Sequence, residues 1–158
     1  MTQALTGIRV IDMTHNQAGP ACAQILGFLG ADVIKLEEPK GGDVARTNMR
    51  DRTDSDSLFF LILNANKRSL TLNLKTDEGK KLFRQVIAES DVLVENFGPG
   101  ALDRLGLGYH ELSKLNPRLI YATIKGFGTY AAILVLVIMS VGLTELLTQV
   151  EVRMSHGK

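Results

Sequence analysis

A single cysteine among 158 residues excludes an intramolecular disulfide framework and any metal site built from several thiolates. Three scattered histidines, His15, His110 and His156, argue against a zinc centre, because a closed site needs about four ligands. An excess of charge is lacking too. With 18 Lys+Arg against 17 Asp+Glu, the net charge is +1, and no broad field favours nucleic acid as a partner. Met1 to Asp12 contains no basic segment leading into an apolar one, so no secretory signal is expected and a cytoplasmic protein is the default. Internal repeats and low-complexity tracts are also missing. What remains is 45% hydrophobic and 22% charged, a globular composition at a length suited to one ordinary domain.

The averages conceal a division. Only Glu145, Glu151, Arg153 and Lys158 carry charge after Tyr130, and Ala131 to Thr144 carries none. Seen alone, that apolar run suggests a membrane span. Extended to Leu147 it has 17 residues. As a helix it would reach about 25 Å, short of a hydrocarbon core of about 30 Å. Glu145 interrupts the extension, and no Lys/Arg cluster flanks it to set an orientation. A helix or strand covering an exposed sheet is the expectation, with Thr148 to Met154 alternating like a strand. Residues 131–158 are accordingly separated as a divergent tail from residues 1–130.

The front reads as strands alternating with helices. Ile8 to Asp12 is a short β-branched run, followed by turn chemistry from Thr14 to Pro20. Ala21 to Leu29 carries Cys22, Ile25, Leu26 and Leu29 at helical spacing and stops at Gly30, a natural C-cap. Asp32 to Leu36 is a second strand, Glu37 to Ser57 a polar excursion and Leu58 to Leu63 an apolar run. Ser69 to Leu74 alternates as a half-buried strand. Thr76 caps a helix reaching Ala88, with Leu82, Val86 and Ile87 on one face. Strands at Asp91–Glu95 and Leu119–Lys125 enclose two short helices, Ala101–Leu105 and Tyr109–Leu115. The pattern predicts an α/β domain, Rossmann-like, with a mainly parallel sheet and flanking helices.

Ligands of such sheets settle beyond the carboxyl ends of the strands. Four glycine-containing loops are expected there: His15–Pro20, Glu37–Asp43, Asn96–Gly100 and Gly126–Tyr130. Glycine lets backbone N–H groups approach an anion, and Lys67, Arg68, Lys75 and Arg104 could add cations. On pattern alone, a phosphate cradle and a set of solvated turns both remain open. Gly126 to Ala131 imitates a dinucleotide fingerprint, but at the wrong end of the α/β unit. Cys22 is either a thiolate with His15 as base or small core filling, the second being expected. Gln17 is either a surface turn residue or an amide able to donate to a developing oxyanion.

Several stretches in order resemble CoA-transferase family III, most closely its formyl-CoA:oxalate branch. They are His15 to Cys22, Phe28 to Lys35, Asn66 to Ser69, Val94 to Arg104, Leu115 to Arg118 and Ile124 to Phe127. The resemblance implies a Rossmann-like large domain plus a small domain, in chains interlocked as a homodimer. It implies transfer of CoA between carboxylic acids through an aspartyl anhydride and an aspartyl-CoA thioester. Acyl-CoA and a small carboxylic acid such as formate or oxalate are the implied partners, with CoA a substrate and no cofactor held permanently. Gln17 and Ala18 would border the thioester. Leu72, Asn73, Leu74, Lys75, Asn96, Phe97, Gly98 and Arg104 would hold the CoA nucleotide.

Two departures accompany the resemblance. Where the pattern often has a basic residue shortly after Lys35, this sequence has Glu37-Glu38-Pro39 before Lys40. The family's continuation, with the aspartate nucleophile and the small domain, is not found after Tyr130. Glu145 and Glu151 do not match the nucleophile. The sequence is therefore expected to be the truncated, nucleotide-binding front of a transferase, inactive alone. A non-catalytic module for CoA or an adenine nucleotide is the alternative, and a small membrane-associated protein a weaker one.

Overall fold

The computed structural model describes residues 3–48, 50 and 52–125. Five strands, β1 (Arg9–Asp12), β2 (Asp32–Glu37), β3 (Arg68–Thr71), β4 (Val92–Glu95) and β5 (Ile120–Thr123), form one sheet in the order β3-β2-β1-β4-β5. Every pairing is parallel, with Val10 opposite Val33 on one side and Val92 on the other. The helices are α1 (Ala18–Phe28), α2 (Leu58–Asn64), α3 (Asp77–Ala88), α4 (Ala101–Arg104) and α5 (Tyr109–Leu115). The expected α/β architecture is the one observed. The described residues up to Ile124 belong to one compact unit. The fingerprint-like turn at 126–131, the apolar run, the strand-like 148–154, Glu145 and Glu151 lie outside the described residues.

Alternation along the strands sorts side chains onto two cores. Ile11, Met13, Leu36 and Leu93 pack with Phe83 and Ile87 of α3, Leu102 of α4 and Leu112 of α5. Val10, Val33 and Val94 face Ala23 and Leu26 of α1, beside which α2 packs. The chain moves from β1 through β2 to β3 on one side, then crosses to β4 and β5 on the other. The winding therefore reverses between β1 and β4, and their carboxyl ends are the place such sheets offer a ligand.

Element boundaries shift from the sequence pattern at α1 and β3, and the apolar run after Ser57 takes a definite form. Helix α1 begins three residues early, taking in Ala18 and the Gly19-Pro20 pair. Pro20 is tolerated because the first turn of a helix has no partner for its N–H groups. The helix ends as expected at Gly30, whose φ of +103 permits hydrogen bonds from Gly30 N–H to Gly27 O and from Ala31 N–H to Leu26 O. Strand β3 stops at Thr71, because Asn73 folds the chain back: its Oδ1 accepts from Lys75 N–H and its carbonyl from Thr76 N–H. Leu58–Asn64 is a helix, capped by Ser57 Oγ accepting from Phe60 N–H.

The face of α1 is a correction. Cys22 is exposed, and Ile25 and Leu29 turn outward at 58% and 46% exposure. The buried stripe is Gly19, Pro20 and Ala23. A Cβ on Gly19 would come within 2.3 Å of the Thr14 side chain, so only a small residue lets α1 approach β1 this closely. Cys22 is thus not core filling. In α3 the core takes Gly79, Phe83 and Ile87, leaving Leu82 48% exposed.

Candidate functional site

At the carboxyl edge the two faces of the sheet carry different chemistry. On the α3–α5 side, Met13, Leu36, Leu72, Leu74, Phe97, Ala101, Leu102 and Leu105 line a cleft whose polar residues are His15, Glu38, Asn73 and Lys75. On the α1 side the strand ends Asp12, Lys35 and Glu37 are buried charges. Each has a partner, as a charge away from water requires.

Lys67 Nζ lies 2.7 Å from Asp12 Oδ2 and also donates to the carbonyl of Pro20 and to Asn64 Oδ1. Burial pushes its ammonium below the ordinary value, against the opposing pull of Asp12. Lys35 Nζ lies 2.8 Å from Asp43 Oδ2 and donates to the carbonyl of Thr14. Burial raises the Asp43 carboxyl, but His15, Lys35 and the Ala45 N–H outweigh it and hold the group well below the carboxylate range. Glu37 accepts from Arg46 Nε and Nη2 and from Asp43 N–H, which hold its carboxyl low despite burial. Arg46 also meets Asp56 at 2.6 Å and lies over the Phe60 ring. These bonds fasten the polar excursion 37–57 to the sheet.

The loop after β1 is held from three directions. Thr14 N–H and Oγ1 both donate to Asp12 Oδ1. Asn16, at φ +65, donates its N–H to Asp43 Oδ1, 3.1 Å away. His15 N–H donates to Asn96 Oδ1 and Asn96 Nδ2 donates to His15 O, each at 2.8 Å. His15 Nδ1 stands 3.6 Å from Asp43 Oδ1, within ion-pair range but beyond a hydrogen bond, and its ring meets Phe97 edge-on at 5.2 Å.

Of the residues singled out from the sequence, Leu72, Asn73, Leu74, Lys75 and Phe97 converge on the cleft. Gln17 and Ala18 sit exposed at the start of α1, where Gln17 occupies the N-cap position without a side-chain capping bond. Gly98 is exposed, with nothing within 4 Å of where a Cβ would stand. Arg104 is exposed on α4, donating to Pro99 O. The Asn96 amide faces the backbone of His15.

Two expected cations do not serve this edge. The Lys67 side chain is buried in the Asp12 pair, and Arg68, at the start of β3, pairs with Asp32 at the opposite end of the sheet. Glu38 takes a rim position, its Oε2 accepting from Lys40 and Gly41 N–H. Asp43 is a residue of this edge that the sequence pattern does not mark. Its only sequence signal is an acid ending a Gly41-Gly42 turn, and its partners are 27 residues away in Asn16 and eight away in Lys35. No described residue group could hold a metal ion as a cluster of three or more His, Cys, Asp or Glu.

A sequence model of CoA-transferase family III matches residues 5–136. A formyl-CoA:oxalate CoA-transferase of Streptomyces avermitilis is 58% identical over 128 residues, covering 81% of this chain and 31% of the relative. One of Streptomyces coelicolor is 56% identical over 126 residues, covering 80% and 30%. Among solved structures, a CAIB/BAIF family protein from Brucella suis superimposes with a TM-score of 0.74 at 41% identity, over 80% of this chain and 34% of that one. The chain spans about a third of the length of these relatives.

Proposed function

The chain belongs to CoA-transferase family III, and on that premise we propose that its cleft holds the CoA of an acyl-CoA substrate. The reaction it serves is transfer of CoA between formyl-CoA, or another acyl-CoA, and oxalate or another small carboxylic acid. Relatives named formyl-CoA:oxalate CoA-transferase support that choice of acyl groups.

One observation carries the reading: Leu72, Asn73, Leu74, Lys75 and Phe97 line one apolar cleft at the point where the sheet's winding reverses. Apolar walls suit the adenine and the pantetheine arm, while the Lys75 ammonium suits a phosphate. Gln17, two residues beyond His15, has an amide able to donate to the oxyanion that develops when a thioester is attacked. Gly98 leaves room for a ligand to approach the backbone, and Arg104 offers a second cation at the surface. Glu38 weakens or moves one phosphate contact. Family membership is also the ground for proposing a homodimer and a cytoplasmic setting.

A second reading, a module that holds CoA without turnover, is favoured for these 158 residues taken alone. They contain no aspartate after Asp103, the part of the chain where the family resemblance would put the nucleophile. No described helix is long and apolar enough to cross a bilayer, and the apolar run behind the membrane reading lies outside the described residues. Calorimetry with CoA tests the site. Binding is expected, weakened about tenfold by Lys75→Ala, which removes a charged contact. Absence of heat at millimolar CoA contradicts the reading. Hydroxylamine trapping after incubation with an acyl-CoA is expected to find no acyl-enzyme, and a trapped adduct would overturn the non-turnover reading.

A further inference from the structure

We infer that the Asn96 side chain is a positioning residue that sets Gln17 against the cleft, rather than a contact to the ligand. The inference rests on the CoA reading of the cleft and revises the part that Asn96 plays in it. The amide makes a reciprocal pair with His15, accepting from its N–H and donating to its O, each at 2.8 Å. Turning that amide towards a ligand would break both bonds and leave two part-buried backbone groups unpaired.

The pair spans 81 residues and joins the loop after β1 to the loop after β4, on either side of the winding reversal. His15 cannot shift without carrying Asn16 and Gln17 with it. Asn16 is already held at φ +65 by its bond to Asp43, and Gln17 opens α1 immediately afterwards. The latch thus ties the residues that lead into Gln17 to the loop that carries Phe97, the neighbour of Asn96. Without it the segment keeps only its bonds to Asp12 and Asp43 and is held less tightly, so a ligand reaching Gln17 would bind only the competent fraction.

The test separates the two ends of the ligand. Adenosine 3′,5′-bisphosphate carries the nucleotide end alone, whereas acetyl-CoA also reaches the Gln17 end. Asn96→Ala is expected to weaken acetyl-CoA binding about tenfold and to change bisphosphate binding less than about twofold. In a Gln17→Ala background Asn96→Ala is expected to have no further effect on acetyl-CoA. Equal loss for both ligands, or a full loss persisting in the Gln17→Ala background, would overturn the inference.

Amide hydrogen exchange gives a readout without ligand. Residues 15–18 should exchange faster in Asn96→Ala while the amides of β1 and β4 do not, and unchanged exchange at 15–18 also overturns the inference. If Asn96→Ala does not fold, Asn96→Asp serves, since it keeps the acceptor for His15 N–H and removes the donor to His15 O. An unmodified chain that binds neither ligand refutes the CoA reading instead, and exchange then decides the latch by itself.

Discussion

Lys67 donates to three acceptors inside the protein, which explains why a cation in a turn before a strand is unavailable to a ligand. Removing it would strand the Asp12 carboxylate, which is fully buried. Lys67→Met is expected to cost about 3–5 kcal/mol in urea unfolding, and adding Asp12→Asn should return part of that loss. Asp43 and Glu37 govern the acid limit. Their ordinary values are 3.8 and 4.5, and both are depressed in the folded chain. Below those values the unfolded chain binds more protons than the folded one, so stability must fall. Their contribution is complete above about pH 5 and is lost as pH drops through the depressed folded values. Urea midpoints measured from about pH 6 down to about pH 3 should decline, and Asp43→Asn should flatten the decline. A slope unchanged in Asp43→Asn would contradict this assignment.

Among the elements, α1 was the hardest to orient from its sequence. It is apolar nearly all round, so spacing identified a helix without identifying which side faced the sheet. The answer lies in Thr14, whose side chain occupies the space a larger residue at 19 would need. Gly19→Ala is expected to cost about 1–3 kcal/mol by forcing α1 away from β1. Ile25→Gln, on the outward face, should fall within about 0.5 kcal/mol of the unmodified chain. Thermal or urea unfolding of the pair checks both, and equal effects would mean that the helix is turned the other way.

Elements with strong local signals were legible. Thr76 Oγ accepts from Gly79 N–H as its N-cap pattern implies, and α5 occupies the expected residues. Strand β3 fell short because the Leu70, Leu72, Leu74 alternation continues past the Asn73 turn. All three leucines still pack on the same core, so periodicity read the facing correctly and the hydrogen bonding wrongly. Leu72 to Lys75 and Phe97 could be picked out through a family resemblance. Asp43 could not, because its role depends on pairing with strands and loops that are distant in sequence.

At the scale of the whole molecule, the order β3-β2-β1-β4-β5 makes one site from separate short motifs. Reversal of the winding between β1 and β4 leaves their loops side by side, and the Asn96–His15 pair joins them. Alternation then gives the cleft an apolar wall on one face and places the buried ion pairs that brace it on the other. The central claim is that this cleft receives CoA. Amide chemical shifts of the 158-residue chain, recorded during titration with CoA, test it most directly. The account predicts saturable shifts confined to residues 13–18, 72–75 and 96–104. Shifts that do not saturate at millimolar CoA, or that fall on the outward face of α1 instead, would contradict it.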